Sequence, residues 1–402
     1  MEAYLLDWLS LLVRWTHVIV GIAWIGASFY FVWLDNHLLA PTDETLKNKG
    51  VGGELWAVHG GGFYNPQKYK LAPTQIPEHL HWFYWEAYST WLSGFLLLSL
   101  LYYVSPEIYL IDPAVADLGR WTAVGIGIGT LAGGWLIYDL LCRSPIGKNL
   151  NLLAAVLAVL LAASAFGLCS VFSGRGAYLH FGAMLGTIMV GNVFFVIIPG
   201  QRAMVAASQA GLPPDPANAL RAKQRSVHNT YFTLPVLLTM ISNHYAMTYG
   251  AHHNALVLIA LTFAGAAIRV WFVERHKAHE RGGRTSPLAA IAGVAAILVV
   301  IAGLRPVPPA SAAAGATSVS FAQVQTIIQT RCASCHAEHP TQPGFFAPPK
   351  GHMLDTPARI LAQKAEIRQQ VGSRAMPIGN LTQMSDDERI AVLAWIDAGA
   401  PQ

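Results

Sequence analysis

Leu150–Phe172 reads LNLLAAVLAVLLAASAFGLCSVF, an apolar run without a charged side chain. A helix of about 20 such residues matches the hydrocarbon thickness of a bilayer and satisfies its own backbone polar groups. Seven further runs of near-bilayer length surround it, at 9–34, 82–104, 120–141, 177–199, 230–249, 254–273 and 287–304. The pattern predicts an all-α fold, a polytopic bundle of about eight transmembrane helices over residues 1–304. Composition agrees: of 402 residues, 53% are hydrophobic and only 12% are charged, about half the usual charged share. A net charge of +4 is too small and scattered to suggest nucleic acid as a partner. The opening run follows Met1-Glu2-Ala3, which lacks basic residues, and is too long for a cleavable signal, so it is expected to remain as a helix.

Basic residues set the expected orientation, because cytoplasmic loops collect Lys and Arg. Lys47, Lys49, Lys68 and Lys70 follow the first run, Arg143 and Lys148 the third, Arg202, Arg221, Lys223 and Arg225 the fifth, and Arg275, Lys277, Arg281 and Arg284 the seventh. The intervening loops are nearly bare. A bacterial inner-membrane protein with both termini in the periplasm is expected.

Past the last run, Arg305–Ser320 is a Pro/Ala-rich linker leading to a module at 321–402. The module opens on Cys332-Ala333-Ser334-Cys335-His336. Cys332 and Cys335 at this spacing can bind one haem c covalently, and His336 is placed to ligate its iron. A zinc half-site is the alternative, but no second Cys/His pair follows at finger-like spacing. The positive-inside pattern puts the motif in the periplasm, where bacteria attach c-type haem. Met376, in the extended Arg374-Ala375-Met376-Pro377 loop, is the expected sixth ligand; Met353, Met384, His339 and His352 are the competitors. Helices are expected over 321–331, near 357–371 and over 385–398. The last should open on a Ser385/Glu388 capping box and bury Ile390, Leu393, Ala394 and Ile396. These features predict a small class I cytochrome c-like domain.

The chain has fifteen histidines, and ionisable groups inside a membrane are costly. His17, His180 and His244 fall at similar depth toward the expected periplasmic side. They are candidates to hold a second redox centre, haem b or a metal; separate histidines bonded to backbone or water are the alternative. Toward the expected cytoplasmic side lie His79, Glu86, Asp139, Asn192, Arg202, Arg225, His228, Asn229 and Arg269. Glu86, Asn192 and Arg269, with Arg202, are candidate catalytic residues for a planar anionic substrate, with Trp82, Trp85 and Tyr88 as aromatic walls. An interfacial aromatic belt is the plainer account of those rings. Between the first two runs, 55–69 suggests a small hairpin, either a lid or a structural cover.

Several stretches together resemble the bacterial membrane-bound urate oxidases (urate hydroxylases) with a fused cytochrome c domain: Arg14-Trp15-Thr16-His17-Val18 running into 21–30, Val58–Tyr64, His81–Tyr88 and Gly191–Phe195. The resemblance covers nearly the full length. It implies oxidation of urate, or a similar purine, toward 5-hydroxyisourate. Electrons would pass to the respiratory chain through a periplasmic cytochrome or a respiratory oxidase. The alternatives are a cytochrome c-linked dehydrogenase for another small metabolite or quinol, and a non-catalytic electron-transfer subunit.

Overall fold

A computed structural model describes residues 2–70, 72–73, 75–280, 283–305, 319–343, 345 and 347–401. The expected linker falls, at 306–318, outside the described residues.

Helix occupies all eight apolar runs. The first is α1 (Glu2–His37), followed by the short α2 (Glu44–Asn48) and four brief strands, β1 (Val51–Glu54), β2 (Ala57–His59), β3 (Gly62–Tyr64) and β4 (Gln67–Tyr69). Next come α3 (Trp85–Leu98), extended by a π-turn over Ser99–Tyr103, and the short α4 (Pro106–Tyr109). Then follow α5 (Arg120–Arg143), α6 (Leu150–Val171) and α7 (Gly174–Asn192), which runs through a second π-turn into α8 (Ile198–Gln209). α9 (Pro216–Ser242), α10 (Ala246–Tyr249), α11 (Asn254–Glu280) and α12 (Leu288–Gly303) complete the bundle.

Among the described residues, five spans are long and apolar enough to cross a membrane: Trp8–His37, Arg120–Arg143, Leu150–Val171, Gly174–Gln209 and Asn254–Arg275. The other three expected runs fall short for different reasons. α3 has 14 residues before its helix widens. The first half of α9 carries Arg221, Lys223 and Arg225, and α12 is apolar but short.

α7 is the central helix and packs against α3, α5, α6 and α9. Small residues let its neighbours approach: a Cβ at Gly182 would overlap Thr239, and one at Gly191 would overlap Trp135. Outward-facing Trp15, Ile22, Trp121, Val159 and Leu298 are exposed, which suits a lipid surround. The π-turn at Val193–Ile197 has a local cause in Pro199. Its ring removes an N–H and crowds the carbonyl one turn back, so the helix widens there.

The expected hairpin forms in two steps. β2 pairs with β3, Val58 opposite Phe63, and the two-residue turn is Gly60-Gly61 at φ +57° and +80°. Two consecutive positive φ values suit a twisted hairpin, and glycine adopts them at least cost. β1 and β4 pair at the base, where Lys68 reaches Asp35 at 2.8 Å.

In the carboxy-terminal module, α13 (Phe321–Arg331), α14 (Pro357–Ala362), α15 (Lys364–Gly372) and α16 (Asp386–Asp397) enclose a core of Val324, Ile328, Ile360, Ile367, Val392 and Trp395. The Ser385/Glu388 capping box is present. The buried stripe of α16 differs from the expected one: Arg389, Val392 and Trp395 face inward, while Ile390 is exposed. Trp395 stacks on Phe321 at 5.4 Å, and this large ring sets the helix rotation at the expense of smaller Ile390. The module rests on the bundle where α4 meets the turn at Ile378–Asn380.

Candidate functional site

The Arg202 end of the bundle opens into a cleft of about 400 Å³ lined by Glu78, His79, Leu80, Trp82, Arg202 and Gln209. Arg202 follows the π-turn on α8, and its guanidinium lies 6.0 Å from the Trp82 ring centre. The cleft thus offers a cation beside a flat aromatic face, suited to a planar anion.

Two groups of opposite charge are left incomplete inside the bundle. Glu86 Oε2 and both Nε and Nη2 of Arg269 are buried without hydrogen-bond partners among the described residues. The Arg269 guanidinium lies 3.9 Å from the ring centre of Phe29 on α1, so the ring covers its face while those two edge donors stay unused. Buried polar atoms are nearly always partnered, so each of these groups is open to a further partner, as are the buried polar atoms of Trp135, Asn243 and Thr262.

Asn192 belongs to a closed network. Arg225 Nη2 donates to Asp139 Oδ1 at 2.7 Å and Arg225 Nη1 to Asn192 Oδ1 at 3.3 Å. Asn192 Nδ2 donates to Asn229 Oδ1 at 2.9 Å and to Tyr138 Oη at 3.1 Å. With Tyr138 accepting there, its hydroxyl proton points to His228 Nδ1, 2.8 Å away. Asp139, Arg225, Asn192 and Asn229 are all buried. With these hydrogen bonds made, the cluster acts as a rivet joining α5, α7 and α9.

The histidines separate into two kinds. His17 Nδ1 lies 3.1 Å from both Thr90 O and Ser93 Oγ. His180, fully buried, places Nδ1 2.8 Å from Gly176 O and Nε2 3.0 Å from Tyr103 Oη. A carbonyl only accepts, so in both rings Nδ1 carries the proton; Nε2 of His17 keeps the lone pair an axial ligand requires, whereas Nε2 of His180 accepts the Tyr103 hydroxyl. His17 also packs against Gly94, where a Cβ would sit 2.8 Å from the ring. His244 is exposed on the turn after α9, away from these two environments. Among the described residues, no three His, Cys, Asp or Glu side chains group as metal ligands.

In the module, Cys332 and Cys335 are free thiols on a turn closed by His336 N–H to Cys332 O at 2.9 Å. Burial pushes the Cys332 thiol up to about 12 and raises Cys335 as well, so both stay protonated. His336 Nδ1 donates to His352 O at 2.9 Å, again leaving Nε2 available, and burial lowers its pKa. These residues fit a covalent haem. Of the candidate sixth ligands, Met384 is buried in the module core, whereas Met376 sits half-buried on its loop. That loop is held by Arg389, which donates to Met376 O at 2.6 Å and to Asn380 Oδ1 at 3.2 Å. His352 binds Gln363 through Nδ1 at 2.7 Å.

Residues 3–303 match the family model described as urate oxidase N-terminal. The chain belongs to this family. No curated protein and no solved structure matches it. The matched region contains the cleft, the Glu86 and Arg269 orphans, the Asp139–Arg225 network and both anchored histidines, so the urate oxidase family resides in the bundle. Tyr103, Tyr138, Thr90 and Ser93 were not among the expected site residues. A hydroxyl on an apolar helix reads as packing until the helix it faces is known.

Proposed function

We propose that this member of the urate oxidase family converts urate toward 5-hydroxyisourate inside the membrane bundle and delivers the electrons to a haem c on its own periplasmic module. The family match over the bundle carries the reading. The reaction adds water to urate and releases two electrons and two protons. Urate, a planar anion, enters at the Arg202–Trp82 cleft. Its oxygen edge meets the free donors of Arg269 or the cation of Arg202, and Glu86 accepts a urate proton. Asn192 supports this pocket through the network beside it. Cys332, Cys335 and His336 would hold a haem c, which would supply one-electron transfer toward a periplasmic cytochrome or respiratory oxidase.

A hydrocarbon slab roughly 30 Å thick lies between a cytoplasmic substrate and a periplasmic carrier. His17 and His180, both anchored through Nδ1, would hold a second redox centre, haem b or a metal, part-way across, His180 by giving up its Nε2 bond to Tyr103. The bundle spans the bacterial inner membrane with both termini outside. In support, the module rests on the loops around Ile108 and Gly250, the ends poor in Lys and Arg.

The deciding experiment is anaerobic urate titration of the purified single chain, read by haem c absorbance and combined with pyridine haemochromogen typing. Reduction by urate and not by other purines or quinols is expected; no reduction by urate removes the proposal. A preparation with haem c alone and no metal removes the second centre. Arg269→Ala should raise the urate KM about 10- to 100-fold, the value of a charge-assisted hydrogen bond, and an unchanged KM takes Arg269 out of the pocket. Met376→Ala should lower the reduction potential by on the order of 0.1 V, within the roughly 0.8 V range that axial ligands command. An unmoved potential in redox titration passes the role to Met353 or Met384.

A further inference from the structure

The face of the module carrying Met376 is the face seated on the bundle. Gly379, three residues on, comes so near α4 that a Cβ would stand 2.7 Å from Ile108 O. Ser373 and Arg374 close on Gly250 in the same way, with a Cβ there 2.6 Å from Ser373 O. Arg389, which holds the Met376 loop, also stabilises the carboxylate of Asp112 in the bundle loop, against the burial that raises its pKa. Backbone-to-backbone contact at two separate points leaves no room for water or a longer side chain, as expected of a built seat.

Directly beneath lies a continuous file of aromatic and cationic groups. The Arg175 guanidinium stands 4.7 Å from the Tyr109 ring centre and donates from Nε to Tyr102 Oη at 3.1 Å. The Tyr102 ring meets His180 edge-on at 6.0 Å. Tyr109 is the last residue of α4, next to the carbonyls that receive Gly379.

We propose that the 376–380 loop is the electron-receiving face of the module, held against the bundle, and that Arg175, bonded to Tyr102 and stacked on Tyr109, is the positioning residue that holds these two rings 5.9 Å apart in the file beneath it. The inference rests on the electron-transfer reading above. In each transfer one electron leaves the bundle and one enters the module; the side chains between fill the gap and are neither oxidised nor reduced. External partners then meet a different face.

The test uses the full-length protein in detergent. Gly250→Phe, which forces a side chain into the seat, should raise amide hydrogen exchange at 373–380 and slow urate-driven haem c reduction by about tenfold or more. Arg175→Met should slow that reduction by about tenfold or more, as small misplacements do. Ascorbate-driven reduction and the haem spectrum should stay unchanged, and Arg175→Lys should recover much of the rate. Unchanged exchange in Gly250→Phe, or faster exchange with an unslowed urate-driven rate, overturns the seat as the working arrangement. Equal slowing of ascorbate-driven reduction, or no slowing at all, overturns the role of Arg175. A parent chain whose 373–380 amides are protected relative to Gly250→Phe, but whose haem urate does not reduce, refutes the urate reading and leaves the seat standing.

Discussion

A Cys332→Ala, Cys335→Ala double variant is expected to lose all covalent haem and, with it, urate-dependent reduction of any external acceptor. Each thiol supplies one thioether bond, and His336 alone, as a single axial ligand, cannot retain the group through denaturing electrophoresis. The effect is all-or-none because the thiols lie at the edge of the module core, where Cys332 packs with Val324 and Ile328. Haem staining after denaturation checks the first half, and oxygen uptake by membranes supplied with urate checks the second. Staining that persists in the double variant would mean the chain carries no c-type haem at these cysteines. Urate oxidation that persists without staining would mean the module is dispensable for the chemistry.

Asp139→Ala is expected to be the most damaging single change in the bundle, costing about 3–5 kcal/mol, the value of an uncompensated charge left by breaking a buried ion pair. Arg225 would lose its 2.7 Å partner while remaining enclosed. Arg143 cannot serve as a substitute, because it is itself a cation on the other oxygen of the same carboxylate, at 2.6 Å. Removing both charges with Asp139→Leu and Arg225→Met should be milder than Asp139→Ala, since no buried charge stays unpaired and only the neutral Asn192 Oδ1 loses its donor. Thermal unfolding in detergent by circular dichroism measures this. A double variant as unstable as the single one would show that the network needs the ions themselves, and an unaffected Asp139→Ala would show that water reaches Arg225.

Much of this architecture was legible in the sequence because it depends on near neighbours. An apolar run such as 150–172 becomes a helix because no charge interrupts it. Ser385 caps because Glu388 lies one turn on, and Gly60-Gly61 turns because only these two residues separate His59 from its partner Gly62. The CxxCH spacing places two thiols and an imidazole on one turn. Other features were not legible. Ile390 was expected inside and is exposed, because the choice of buried face on α16 was made by Trp395 meeting Phe321, 74 positions away in the chain.

The site divides along the same line. Sequence alone determined that charges and histidines sit within apolar helices, that the chain carries a CxxCH motif, and which loops are basic. Those properties follow from residue type and spacing. Only tertiary structure decided that Asp139, Asn192, Arg225 and Asn229 form one closed cluster while Glu86 and Arg269 keep unpartnered atoms, and that the Met376 loop is seated beside Tyr109. Hydrogen bonds such as Tyr103–His180 and His17–Thr90 join residues 77 and 73 positions apart. Their geometry is set by how whole helices pack, and no local pattern encodes it.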